Sequence, residues 1–193
     1  VGSREFEPKQ LNVILRDKKI SLSKIENNGG KGDSQNNCLN EAYRLDLKNE
    51  KWYVFNDNYG TSEEKLFVKY FKIHIEPELK AKNLEYYVVR NERVPELAIY
   101  SFEAGERFEP DFLLFVKKKR SEGSHIYQGY VEPKGNHLLI NDAWKEEFSM
   151  QLEEHSVTEQ FSDDYQIIGF PFFNTDNRTE EFGKAIDNWI TKL

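Results

Sequence analysis

Phe108-Glu109-Pro110-Asp111-Phe112-Leu113-Leu114-Phe115-Val116, followed after a polar break by His125-Ile126-Tyr127-Gln128-Gly129-Tyr130-Val131-Glu132-Pro133-Lys134, is the stretch that decides the fold. Residues 112–116 are apolar without interruption, the pattern of a central strand covered on both faces. Residues 125–131 are rich in β-formers, and the two-residue repeat of a strand sends Glu132 and Lys134 to one face. Between the runs, Lys117-Lys118-Lys119-Arg120-Ser121-Glu122-Gly123-Ser124 is polar and contains glycine, which suits the loop of an antiparallel hairpin. A hairpin sets the start of its first strand beside the end of its second, so Asp111 is expected next to Glu132, with the Lys134 amine in the same cleft. Hard carboxylate oxygens so placed suit Mg²⁺ or Mn²⁺, ions that polarise a phosphate and lower the pKa of bound water.

Upstream, Thr61 and Ser62 are suitable N-caps for a helix running to about residue 75, and Thr61 with Glu64 makes a capping box. Leu66, Phe67, Tyr70, Phe71 and Ile73 define its expected buried face. Glu63 then points into that face while Glu64 falls at its margin. An acid aimed at a core needs a partner, because an unpaired buried charge is costly. Residues 84–90 and 97–102 read as strands, the second leading into the Asp111 strand. Downstream, residues 142–154 form a helix with Trp144, Phe148 and Leu152 inward, and residues 165–173 read as a buried strand. A last helix from residue 179 buries Phe182, Ala185, Ile186, Trp189, Ile190 and Leu193. This order predicts an α/β fold with a mixed central sheet flanked by helices.

Pro110-Asp111 with Glu132-Pro133-Lys134 resembles the PD-(D/E)xK nuclease signature. The longer strings Phe108-Glu109-Pro110-Asp111-Phe112-Leu113-Leu114 and Tyr130-Val131-Glu132-Pro133-Lys134-Gly135 are similar, more narrowly, to the C-terminal nuclease domain of type III restriction enzyme Res subunits and related helicase-nucleases. The similarity covers residues 58–193. It implies a restriction-endonuclease-like αβββαβ core, here with one additional early strand, and a Mg²⁺-dependent DNA endonuclease in which Mn²⁺ can substitute. It also implies metal ligation by Asp111 and Glu132, with the Pro133 carbonyl as a further ligand, and a catalytic role for Lys134. A glutamate on the first helix commonly joins such sites, and Glu63 is the candidate. Some relatives place a glutamine on the helix after this signature, which draws attention to Gln151 and, four residues on, His155; the favoured reading of both is as ordinary exposed polar residues. Translocation, ATP use and target choice would come from a helicase portion outside this chain and a methyltransferase-type (Mod) subunit. The same residues leave open a non-catalytic nuclease-fold module, or a nuclease for RNA or branched DNA.

With 193 residues, the chain suits one domain at 58–193 preceded by an extension, 1–57, that carries short strands at 11–15 and 51–55 and a Gly/Asn-rich loop at 27–34. That loop lacks the Gly-Lys-Ser/Thr ending of an NTPase loop. The lack of an initiator Met suggests a piece of a larger protein. A single cysteine, Cys38, suits a reducing cytoplasm, and no apolar run is long enough for a membrane span. The net charge of −7 is awkward for DNA binding, which draws most of its non-specific affinity from Lys and Arg. The densest basic run is 117–120, which reads either as a phosphate clamp or as an ordinary solvated loop. His74, His125, His137 and His155 show no zinc-ligand spacing with Cys38.

Overall fold

Residues 33–92, 94–101, 105–154 and 165–193 are described by the computed structural model. Thr61 caps the first helix, α1 (Ser62–Tyr70), its hydroxyl oxygen accepting from the Glu64 amide. The helix passes through a π-helical turn, Phe71–Ile75, into α2 (Glu76–Ala81). Strand β1 (Glu85–Arg90) follows, and then the short strands β2 (Ile99–Tyr100) and β3 (Arg107–Phe108). The expected hairpin is formed by β4 (Phe112–Lys119) and β5 (Ser124–Val131), which lead to α3 (Ala143–Glu154), β6 (Tyr165–Gly169) and α4 (Thr179–Lys192).

The main sheet runs β1-β4-β5-β6, with β1, β4 and β5 antiparallel to one another and β6 parallel to β5. It is therefore mixed, and helices flank it. One face packs Phe112, Leu114 and Val116 against Phe67 and Phe71 of the first helical segment and Phe182, Ile186 and Trp189 of α4. The other packs Leu113 and Tyr130 against Phe148 and Leu152 of α3, and also against Ile99 and Phe108. Alternate residues of β4 thus serve opposite cores, which explains its unbroken apolar run. The parallel β5–β6 pairing needs a crossover, and α3 lies within it.

One expectation is corrected. The strand expected over 97–102 does not join the main sheet over its described part: Leu97 closes a 3₁₀ turn begun at Pro95, and among the described residues of this stretch only Ile99 and Tyr100 pair, with Phe108 and Arg107, in a separate two-stranded sheet. Leu47, Trp52 and Tyr53 lie in the same cluster as α1 and α4, Tyr53 bridges Val88 at the edge of β1, and the buried Gln35 amide donates to the Lys65 carbonyl. The expected strand at 11–15 and residues 27–32 of the Gly/Asn-rich loop lie outside the described residues.

Glu76, almost fully buried, receives hydrogen bonds or ion pairs from Lys72 at 3.0 Å, Lys80 at 2.7 Å and the Tyr86 hydroxyl at 3.1 Å. Burial works to raise its pKa, but Lys80, Lys72 and Tyr86 outweigh it and hold the carboxyl below its usual range. A depressed acid stabilises the fold above its unfolded pKa, and that contribution is lost as pH falls through the lower folded value. Glu76→Gln should therefore lower the melting temperature at pH 7 and narrow the gap between melts at pH 7 and pH 3. An unaltered gap would disprove the linkage.

Candidate active site

Strand register fixes the first two acids. Phe112 pairs with Val131, so one step further Asp111 faces Glu132 with both side chains on one side of the sheet. The Asp111 amide donates to Glu132 Oε2 at 2.9 Å, while Lys134 Nζ lies 2.7 Å from Glu132 Oε1. The expected convergence of Asp111, Glu132 and Lys134 is present. Glu132 is 6% exposed and Lys134 9%.

Beyond β5 the backbone stays extended and bridges the continuation of β6. Phe173 N donates to the Glu132 carbonyl at 3.1 Å and Lys134 N to the Phe173 carbonyl at 2.9 Å. Carbonyls alternate along an extended chain, so that of Pro133 turns away from Phe173, toward the β4 side where Asp111 begins its strand. The fully buried Asn174 amide then donates to the Lys134 carbonyl at 2.7 Å and to Asn136 Oδ1 at 2.8 Å.

Burial drives the Asp111 carboxyl well above its ordinary pKa, assisted by the neighbouring charges of Glu132 and Glu64; Lys134 and Arg90 oppose the shift. Glu132 is raised by burial too, but Lys134 and the Asp111 amide counter it. Burial disfavours the Lys134 ammonium, and Glu132 and Asp142 overcome this, lifting its pKa above the usual range. Asp111 is thus the strained member, a carboxylate short of positive charge.

Glu63 does not enter this pocket. Its carboxylate accepts from the amide and hydroxyl of Thr175, each at 3.1 Å, which ties α1 to the loop after β6. The acid that points inward is Glu64, 7% exposed, whose Oε2 lies 2.6 Å from Arg90 at the end of β1. Arg90 also donates to Asn58 Oδ1 at 3.0 Å. Ile73, expected in the buried face, is 58% exposed. The true face runs through Glu64, Phe67, Val68, Phe71 and Ile75, spaced i, i+3, i+4, i+7 and i+11. That spacing was the available signal for Glu64.

The basic run 117–120 is at the wrong end of the hairpin for a clamp at this site: β4 has eight residues, so the loop is roughly 25 Å from Asp111. Its charges have partners there, Lys117 and Lys119 at Glu85, Lys118 at the Leu193 carbonyl and Arg120 at His125. Gln151 and His137 are exposed, and His155 lies outside the described residues. Sequence reasoning missed Asp142, whose Oδ2 is 2.7 Å from Lys134 Nζ and 3.1 Å from Lys145 Nζ. Among the described residues no group of three or more His, Cys, Asp or Glu side chains is placed to hold a metal ion, and no helix is long and apolar enough to cross a membrane.

The model of a C-terminal domain family, HI_1054_C, matches residues 1–189 of the chain. The chain belongs to the HI_1054_C family. Its match extends across 1–57 as well as 58–189, consistent with the shared core around Trp52 and Tyr53. An uncharacterised protein of Haemophilus influenzae is 32% identical over 200 residues, an alignment covering 96% of this chain and 39% of that protein. The chain thus spans well under half the length of this relative. No solved structure matches it.

Proposed function

We propose that this HI_1054_C domain is a metal-dependent nuclease that hydrolyses phosphodiester bonds of DNA. The observation that carries the reading is the pairing of Asp111 and Glu132 at adjacent strand ends with the Lys134 ammonium 2.7 Å from Glu132. Support comes from the order helix, three successively antiparallel main-sheet strands, helix, parallel strand, helix, which is the αβββαβ order that the PD-(D/E)xK resemblance implies.

The donor set fits one hard divalent cation. The half-buried Asp111 lies beside like charge, which a cation would relieve, and oxygen donors suit Mg²⁺ with Mn²⁺ as substitute. Asp111, Glu132 and the Pro133 carbonyl would hold the ion, with water in the remaining positions. When bound, it would polarise the phosphate and make a water more acidic. Lys134, held by carboxylates, donates hydrogen bonds to a phosphate oxygen as negative charge grows there. Glu132 keeps that amine aimed, and Arg90 keeps Glu64 turned inward.

Glu64 replaces Glu63 as the helix-borne acid of this reading. Glu64→Gln should weaken Mn²⁺ binding, measured by calorimetry, about tenfold, whereas Glu63→Gln should stay within about twofold. Equal losses would remove the distinction.

A family of C-terminal domains, and a relative of which this chain spans 39%, support a parent polypeptide with further parts. In our reading those parts include a helicase/ATPase portion that uses ATP and supplies the DNA grip a chain of charge −7 lacks, with a Mod-type methyltransferase subunit choosing the target, as in type III restriction systems. Such a domain works in the cytoplasm. The test is incubation of supercoiled plasmid with the chain and Mn²⁺: nicking that disappears in Asp111→Asn supports hydrolysis, and equal nicking by both proteins rejects the site.

A further inference from the structure

Lys134 and Lys145 come from different elements, the end of the β5 extension and the first turn of α3, yet their ammonium groups converge on a single oxygen. Asp142 Oδ2 is 2.7 Å from Lys134 Nζ and 3.1 Å from Lys145 Nζ. Two ammoniums sharing one acceptor oxygen form an oxyanion receptor. The three side chains open outward in order: Lys134 is 10% exposed, Asp142 22% and Lys145 23%. Lys134 keeps a second anchor in Glu132, so it stays in place if Asp142 leaves. Lys145 is steadied by its position over the Trp144 ring, 5.8 Å from the centroid, and its charge acts on Glu132.

We infer that Lys134 and Lys145 form a two-ammonium binding site for a phosphodiester oxygen, and that the Asp142 carboxylate occupies this site in the free protein and must swing out when the DNA backbone enters. The inference rests on the proposed action on phosphodiesters and adds Lys145 as a backbone contact and Asp142 as a built-in competitor. Displacing Asp142 exchanges one anionic oxygen for another at the same two amines. The competitor therefore lowers affinity for DNA without altering the geometry the amines present. Its effect on DNA binding would be local and separate from that of the net charge.

The test is anisotropy of a fluorescein-labelled 12-base-pair duplex, titrated in EDTA so that no cleavage occurs, across a salt series. Asp142→Asn is expected to bind three- to tenfold more tightly than wild type. Lys145→Gln should bind more weakly and lower the slope of log K against log salt by about one. The double variant Asp142→Asn/Lys145→Gln should lose most of the Asp142→Asn gain, because one receptor amine is gone. Glu181→Gln, which neutralises another acid of the chain's C-terminal half, controls for net charge and should stay within about twofold. Binding by Asp142→Asn no tighter than wild type, a gain matched by Glu181→Gln, a double variant as tight as Asp142→Asn, or no binding by any protein overturns the inference. Should Asp142→Asn fold poorly by circular dichroism, Asp142→Ser and the salt slope of Lys145→Gln decide on the same criteria. A protein that binds in this pattern but never nicks plasmid loses the proposed hydrolysis and keeps the receptor; one that nicks without the pattern loses the receptor alone.

Discussion

Asp111→Asn should leave plasmid supercoiled in Mn²⁺, with nicking reduced at least about 100-fold, while melting at a higher temperature than wild type in EDTA at pH 8. The first effect follows from removing one of the two carboxylates proposed to hold the ion, since a loss of about 3 kcal/mol of charge stabilisation is about 100-fold in rate. The second follows from the strain on Asp111. Burial and the charges of Glu132 and Glu64 raise its pKa, so its favourable contribution exists at low pH and is lost as pH rises through the folded value. As the carboxyl ionises it takes on a desolvation and like-charge penalty that an uncharged amide does not carry. The stabilisation should shrink as pH falls and the wild-type carboxyl takes up its proton. Each kcal/mol gained appears as about 3 °C in a chain of this size. Mn²⁺ should raise the melting temperature of wild type but not of the variant, because only a protein that binds the ion is stabilised by it. A variant that melts lower in EDTA would make Asp111 an ordinary structural residue.

Gly169→Ala carries the largest expected loss of stability. A Cβ at Gly169 would sit 1.7 Å from the Ser149 carbonyl oxygen and 2.5 Å from Ser149 Oγ, where α3 lies directly on β6. Backbone on both sides prevents relief by a rotamer change. Overpacking of this severity should cost about 3 kcal/mol or more, a fall of roughly 10 °C in melting temperature. Gly105→Ala is the contrast: a methyl group there would meet no described atom within 4 Å, but the φ of +67° strains any L side chain. It should cost about 1 kcal/mol. Thermal melts of the two variants in one buffer compare steric exclusion with backbone strain, and equal losses would contradict the close approach at Gly169.

The hairpin, the α3 stripe and the α4 stripe were legible because each is a local pattern. Phe148 and Leu152, and Phe182, Ile186, Trp189 and Ile190, are buried as their spacing predicts, with Trp144 and Ala185 partly buried beside them. Asp111, Glu132 and Lys134 were legible for the same reason, since a hairpin converts a sequence interval into a contact. Glu64 was not, although it lies on the apolar spacing of α1, because an acid there looks like a gap in a core. What makes its burial tolerable is Arg90, which lies in another element. Asp142 carries no local signal beyond the start of a helix, because its partner Lys134 reaches it across a turn. The two-residue β2 and β3 strands show the opposite failure. Six strand-like residues from 97 to 102 suggested sheet pairing, but Pro95 opens a 3₁₀ turn that takes Leu97 out of the strand.

The two halves of the site are set by very different lengths of chain. Asp111 and Glu132 meet as soon as a hairpin with a short loop closes, a local event that can come early in folding. The backbone of Lys134 is fastened only by Phe173 and Asn174, some forty residues later, after the crossover has docked its parallel strand. A chain still emerging from the ribosome can therefore assemble its acids before its amine is locked, so the Asp111, Glu132 and Lys134 arrangement is completed among the last steps of maturation.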